Sequence, residues 1–402
     1  MERHSPGQER NRFLRLLSLE LLFADEVCAG LLSDEKFLAA MARFEGALAR
    51  VSAPAAHADI ISRVCETARF DAAALAREGR AGTLAIPFVK ALTAQVAAVS
   101  KEAAKHVHHG ATSQDVIDTA IVLCLKPACE RVDVLTVRLG DAAARIAREH
   151  SGTRTAARTL LQPALPVPFG WKAAMWLAPI ARSLIALRRV AGEGCVLQFG
   201  GPSGTLSAFG ERGERISAEL ARELGLRGSL VPWHSARDGF ARLGAELAIL
   251  AGAAGKIGRD VSLLMQHEVG EAAEAAAPGR GGSSSMPHKR NPALSMIALE
   301  AAQRTPGLAA TLLGQLTPEH ERGLGQWQSQ WFTLRELVCA TASGTAAMAD
   351  ALEGLEVNEQ AMRKNLEASL KEHAQDSLGA AGAMIESALR EWAGATSPGT
   401  AP

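Results

Sequence analysis

The chain has 402 residues in which 43 Lys plus Arg balance 43 Asp plus Glu, so no bulk charge draws it to nucleic acid or a membrane surface, and any anion site must be local. A hydrophobic content of 48% against 21% charged residues suffices for two or three domains with large cores, and the many alanines and leucines favour helix. The six cysteines, Cys28, Cys65, Cys124, Cys129, Cys195 and Cys339, contain no CxxC pair, which argues against a zinc site or a disulfide framework and for reduced, mostly buried thiols in a cytoplasm.

In chain order, the first residues carry Glu2, Glu9, Arg10 and Arg12 and lack the uninterrupted apolar core of a signal peptide; no apolar run approaches membrane-spanning length. A long helix is predicted to start at Thr112 or Ser113, to carry Ile117, Ile121, Val132, Leu135, Leu139 and Ile146, and to kink or break at Pro127. Another begins near Phe169, and the stretch 197–209 is short enough to hold a hairpin. Phe240, Leu243, Leu247, Leu250, Ala254, Ile257, Val261 and Leu264 recur every three or four residues, a seam that predicts one helix over 235–275. A further helix follows Pro292, with Pro179 and Pro306 as predicted kinks. The fold class is all-α: a small N-terminal helical domain over 1–110, a central bundle of long helices over 111–355, and a short helical remainder over 356–402.

The most informative run is Gly281-Gly282-Ser283-Ser284-Ser285-Met286-Pro287-His288-Lys289-Arg290-Asn291-Pro292. Glycines admit backbone angles closed to other residues, a serine can act as a base once its proton is removed, and Lys289 with Asn291 can grip an anionic oxygen. Such a loop can hold a carboxylate and abstract a proton beside it. The run resembles the GSSxMPxKxNP signature of the fumarase/aspartase superfamily and departs from it at none of the specified positions. That resemblance implies Ser283 and Lys289 as catalytic residues, with Ser284 and Asn291 binding substrate. It further implies a homotetramer whose active sites each draw three separated regions from different subunits.

Two other blocks extend the resemblance. His108-His109-Gly110-Ala111-Thr112-Ser113-Gln114-Asp115 is similar to the HWGATSQD block of bacterial 3-carboxy-cis,cis-muconate cycloisomerases. Thr112 and Ser113, hydroxyls at a helix start, suit a carboxylate, and Thr112 is equally suited to capping the helix; His108 reads as a hydrogen-bonding group of the site. The histidines 106, 108 and 109 have no acidic or cysteine partner at metal-ligand spacing, so no metal and no cofactor is expected. Pro318-Glu319-His320-Glu321-Arg322 through Trp327 and Trp331 resembles the EHERxLGxWQxxW block of the same enzymes, with Arg322 placed to bind a carboxylate. Trp233 and His234 are candidates to line the pocket, though a packed Trp is the simpler reading.

The discriminating residue lies in Arg158-Thr159-Leu160-Leu161-Gln162. The superfamily lyases read RTHxQ there, with the histidine implicated in proton transfer to the departing group. Leu160 cannot transfer a proton, and the cycloisomerases also lack that histidine, because opening their lactone releases a carboxylate that leaves unprotonated. Arg158 and Gln162 remain anion-binding candidates, with a structural role for Arg158 equally open. The resemblance therefore implies a cofactor-free cycloisomerase acting on a small tricarboxylate. A superfamily lyase such as adenylosuccinate lyase and a silent structural homotetramer are the competing readings. After Leu366 the family usually continues through a longer helical domain than the sequence up to Trp392 provides.

Overall fold

The computed structural model describes residues 23–80, 82–282, 285–286, 289–369 and 378–397. The N-terminal helices are α1 (Glu26–Leu31), α2 (Asp34–Ser52), α3 (Ala55–Thr67), α4 (Ala72–Glu78), α5 (Ala85–Val99) and α6 (Lys101–Ala104). The long helices are α7 (Ser113–Glu149), α8 (Phe169–Gly194), α10 (Asp238–Leu264), α11 (Ala293–Leu313) and α12 (Gln326–Glu353), with the shorter α9 (Gly213–Leu224), α13 (Glu359–Ser369) and α14 (Ala381–Thr396) between and after them. Strands β1 (Arg154–Thr159) and β2 (Gln162–Pro168) form one antiparallel hairpin; β3 (Ala272–Ala273) pairs with β4 (Glu356–Val357).

The bundle forms because each long helix carries an apolar stripe that only its neighbours can cover. All eight seam residues from Phe240 to Leu264 are buried. Small residues bring the inner helices close: a Cβ on Gly255 of α10 would lie 2.3 Å from Ala302 of α11, and one on Gly344 of α12 2.8 Å from Ala301. Contacts run α10 to α11, α11 to α12, α7 to α8, and α7 to α12, which closes the five long helices around one core. No described helix is long and apolar enough to cross a membrane.

Several expectations need correction. The helix expected over 235–275 spans only Asp238–Leu264: its seam ends at Leu264, and Gly270 turns the chain with φ 59°. Pro127 does not break its helix: like Pro179 and Pro306, where only kinks are expected, it lies inside a continuous helix, so packing along the bundle outweighs a local cost of about 3 kcal/mol each. The 197–209 stretch holds no hairpin; Val196 makes an isolated bridge to Arg227, and a 3-10 turn over Ser207–Arg212 follows. The real hairpin, over 154–168, was not expected. Three prolines in β2 and a Leu-Leu tip disguise it, since prolines ordinarily demote a strand and tight tips favour Asn-Gly.

Candidate active site

At the start of α7 the predicted block becomes a hydrogen-bonded platform. Thr112 caps the helix, and its backbone N–H donates to Asp115 Oδ2 at 3.0 Å. Asp115 is fully buried and also accepts from the N–H groups of Gly200 (3.0 Å) and Gly201 (2.9 Å) and from His234 Nε2 (2.7 Å). A buried carboxylate with four donors is well satisfied, and it fixes three chain segments against one another. Thr112 and Ser113 remain only half-buried at the edge of this platform. His234, a candidate pocket residue in the sequence, is buried as a partner of Asp115, and Trp233 packs edge-on against Phe240.

His108 sits just before the platform with a left-handed backbone, φ 57°. Its N–H donates to Glu45 Oε2 at 2.9 Å and its Nδ1 lies 2.6 Å from Glu45 Oε1. Burial opposes the charged imidazole, but the Glu45 carboxylate outweighs it and holds the His108 pKa above its ordinary 6.5. The other two histidines face elsewhere: His106 stacks on His57 at 4.9 Å and His109 meets Phe209 at 5.6 Å. A pKa raised by folding means the pair's stabilisation is complete below the ordinary value and is lost as pH rises through the folded one. Glu45→Gln is therefore expected to lower the thermal midpoint more at about pH 6 than at about pH 9. Equal losses at the two pH values would show that the charge on His108 contributes nothing.

Behind the platform lies a buried ion pair. Arg237 donates to Asp118 through Nη1 (2.7 Å) and Nη2 (3.2 Å) and to Gln330 through Nε (3.0 Å), while its guanidinium lies 4.7 Å from the Trp233 ring. Trp327 Nε1 donates to the same Asp118 at 2.9 Å. Arg322 Nε reaches Gln114 Oε1 at 3.3 Å, and Gln114 Nε2 donates to the carbonyl of His234 at 2.8 Å. The Arg322 block thus joins the Thr112 block in one chain. Arg322 is half-buried and makes no ion pair among the described residues, which leaves its terminal nitrogens for an anion.

The remaining candidates lie at the other end of the bundle. Arg158 makes a two-pronged pair with Glu271, at 2.8 and 2.6 Å. Burial opposes ionisation of Glu271, but donors from Arg158, Asn365 and Thr155 keep its pKa below the ordinary carboxylate value. Of the two roles open to Arg158, the geometry supplies the structural one, a clamp from hairpin to bundle. Leu160 and Leu161 form the tip with φ 51° and 64°, Leu160 being 96% exposed; Gln162 opens β2, exposed, beside them.

The glycine-serine loop rises from the same end. Its base is closed by the Asn291 N–H donating to Gly281 O at 2.8 Å and the Asn291 side chain reaching Gly282 O at 3.4 Å. Gly281 has φ 67°, and a Cβ there would lie 2.4 Å from Asn291 O, so glycine is required. Glu274 accepts from Leu294 N (3.0 Å), Ser295 N (2.8 Å) and Ser295 Oγ (2.7 Å), pinning the start of α11 where the loop ends. Lys289 is exposed and has no ion-pair partner among the described residues. Ser283 and Ser284 lie outside the described residues.

Thr112 and Arg158 stand at opposite ends of α7, whose 37 residues span about 55 Å. The 21 residues of α11 likewise put about 30 Å between the loop end at Asn291 and the Arg322 block. One chain therefore brings together His108, Thr112, Ser113 and Arg322 at one end, and Arg158, Gln162, Lys289 and Asn291 at the other.

A family model described as Lyase matches residues 32–307, and the chain belongs to this family, within the fumarase/aspartase superfamily. A 3-carboxy-cis,cis-muconate cycloisomerase of Bradyrhizobium diazoefficiens is 49% identical over 342 residues, which cover 84% of this chain and 76% of that protein. The 3-carboxy-cis,cis-muconate lactonizing enzyme of Pseudomonas putida superposes with a TM-score of 0.88 at 34% identity, covering 94% of this chain and all of that one. A nitrosuccinate lyase of Streptomyces davaonensis is 40% identical over 351 residues, covering 83% of this chain and 73% of that protein.

Residues with no candidate role in the sequence do much of the positioning. Asp115 lies in the His108–Asp115 block, and its place at N3 after a Thr cap is a capping signal. Glu45, Glu271 and Glu274 gave no local signal, because their partners lie far away in sequence.

Proposed function

We propose that this protein is a cycloisomerase interconverting 3-carboxy-cis,cis-muconate and γ-carboxymuconolactone, in protocatechuate catabolism. The observation that carries the reading is Leu160. It stands at the exposed hairpin tip, at the position where the superfamily's lyases present a proton-transferring histidine. A leaving amine or hydroxide needs a proton, whereas a leaving carboxylate does not.

In the forward direction one carboxylate oxygen of the substrate bonds to the diene, and the electron pair moves to the carbon beside another carboxylate. The intermediate is an enediolate, whose charge Lys289, Asn291 and the hydroxyls of Thr112 and Ser113 are suited to stabilise. Ser283 then delivers the proton to that carbon, and in reverse it removes it. A free serine is far too basic for this, so closure of the loop and the nearby cation must lower its pKa. Arg322, His108 and Gln162 are the groups we assign to the remaining carboxylates.

The same reading requires more than one copy of the chain. Helix lengths hold the two groups of site residues tens of ångströms apart, so a complete site needs an end from another protomer. Ile249, Met296 and Phe332, on α10, α11 and α12, are 55%, 53% and 71% exposed and supply apolar surface for that association. We take the assembly to be a homotetramer. The free thiols of all six cysteines suit the reducing conditions of a cytoplasm.

Two measurements test this. Purified protein in chelator is expected to consume the conjugated diene of 3-carboxymuconate, followed in the ultraviolet, and to leave adenylosuccinate, argininosuccinate, malate and nitrosuccinate uncleaved. Turnover of any of those four without turnover of carboxymuconate would overturn the assignment. Separately, co-expressing Ser283→Ala with Arg322→Ala is expected to restore part of the activity that each variant lacks alone, because mixed assemblies contain some sites with both ends intact. Absence of any recovery would mean that sites are not shared between copies.

A further inference from the structure

Lys289 and Arg290 are adjacent cations at the end of the glycine-serine loop, and the fold uses them differently. Lys289 is exposed with no ion-pair partner among the described residues, whereas the Arg290 guanidinium is engaged through both of its terminal nitrogens. Arg290 Nη1 donates to Glu356 Oε2 at 3.0 Å, and Nη2 donates to Glu356 Oε1 at 3.3 Å and to the carbonyl of Glu274. The arginine holds the Glu356 carboxyl below its ordinary pKa, so both partners are charged near neutral pH. Asn291 bonds within the loop, to Gly281 and Gly282; Arg290 reaches out of it.

What it reaches is the β3–β4 junction. Glu356 lies on β4 opposite Ala273 of β3, and just beyond them Asn358 N donates to Glu271 O at 2.9 Å. Three acids at this junction each hold one part of this end of the bundle. Glu271 clamps Arg158 of the hairpin, Glu274 pins Leu294 and Ser295 at the start of α11, and Glu356 takes Arg290 of the loop. The first two carboxylates are buried. The third is not: the Arg290 and Glu356 side chains are 43% and 52% exposed, and a solvent-screened ion pair contributes little to folding.

We propose that Arg290 and Glu356 are positioning residues that aim Lys289 and Asn291 at the substrate, and that Arg290, although a cation beside an anion site, is not itself a substrate ligand. Its terminal nitrogens and its charge are taken up by Glu356 and Glu274, which leaves Lys289 as the cation for the substrate. Lys289 and Asn291 flank Arg290 in the chain, so fixing the guanidinium fixes the backbone from which both side chains start. Oriented groups lose much of their worth when displaced; a shift of about 1 Å costs on the order of a hundredfold. The response to losing Glu356 separates the two roles. If Arg290 bound a substrate carboxylate, removing the competing Glu356 charge would free it and tighten binding. If Arg290 positions the loop, the same change loosens the loop and weakens binding.

Full-length wild type, Arg290→Met, Glu356→Gln and the double variant are to be compared by the diene assay, by thermal unfolding and by hydrogen exchange read by mass. Arg290→Met is expected to raise KM at least about threefold and to lower kcat at least about fivefold, with the unfolding midpoint unchanged. A smaller folded fraction could not raise KM. Glu356→Gln is expected to shift both in the same direction but by less, since Glu274 still accepts from Arg290, and the double variant to be no worse than Arg290→Met. Both single variants should speed exchange in a peptide carrying the Lys289 and Asn291 amides, which bond to Met286 O and Gly281 O. A lower KM in Glu356→Gln, additive losses in the double variant, or a lowered midpoint with KM unchanged would overturn the positioning role. Unchanged exchange in both single variants would overturn the anchor, and faster exchange with wild-type kinetics would overturn its connection to the site. The kinetic arm rests on the cycloisomerase reading; the exchange arm needs no substrate, so the two can fail separately.

Discussion

Ser283→Ala is expected to lower turnover on the order of a hundredfold or more with little change in unfolding midpoint. The change removes one oxygen, and the described residues on either side, Gly282 and Ser285, are exposed and outside the packed core. What it removes is the oxygen that we propose carries the proton. The loop base remains closed through Asn291 and Gly281, and Glu274 still pins the start of α11, so the loop keeps its anchors in the variant. Substrate binding should accordingly weaken less than turnover, which separates loss of the proton carrier from loss of the carboxylate grip. Lys289, which we assign to that grip, is left in place. Turnover close to wild type would remove Ser283 from the mechanism, and steady-state kinetics by the diene assay decide the question.

The parts of this molecule that were legible in the sequence are those encoded locally. The seam from Phe240 to Leu264 announced a bundle helix because each step is set by helical geometry, and all of its residues are buried. The Thr112 start of α7 is legible for the same reason, a capping hydroxyl just ahead of a helical apolar stripe. What was hidden depends on distant partners. The hairpin over 154–168 is held by pairing between its strands and by the Arg158–Glu271 clamp across 113 positions, neither of which shows in local composition. Its tip places two leucines in the left-handed region, where sequence rules expect Asn or Gly. The helix ends at Leu264 and not at 275 because Gly270 and the β3–β4 pairing redirect the chain, although the alanine-rich sequence that follows still favours helix. The gathering of candidates into two ends was equally invisible. Motif order along a chain says nothing of which helix ends lie side by side.

Arg237→Met is expected to cost about 3 to 5 kcal/mol of folding stability, the largest loss among the polar residues of the platform. The reason is what it leaves behind. Asp118 is fully buried and Arg237 is 3% exposed, so the guanidinium is the only cation that neutralises this carboxylate among the described contacts. With Arg237 gone, Trp327 Nε1 and the weaker donor Gln198 Nε2 still reach Asp118, but two neutral donors do not offset a buried charge. Gln330 Oε1, which accepts from the same guanidinium, is orphaned as well. Pairing the change with Asp118→Leu removes the stranded charge, so the double variant should recover a large part of the loss. Chemical denaturation of wild type, both single variants and the double variant closes that cycle. Additive losses in the double variant would show that the two residues act independently and that the pair is not what holds the start of α10 against α7. The functional consequence follows from position: Trp327 and Gln330 begin α12, directly after the Arg322 block, so loosening Asp118 should also loosen the arginine that we assign to a substrate carboxylate. In the double variant KM should therefore stay raised even where stability returns, because the leucine cannot accept from Trp327.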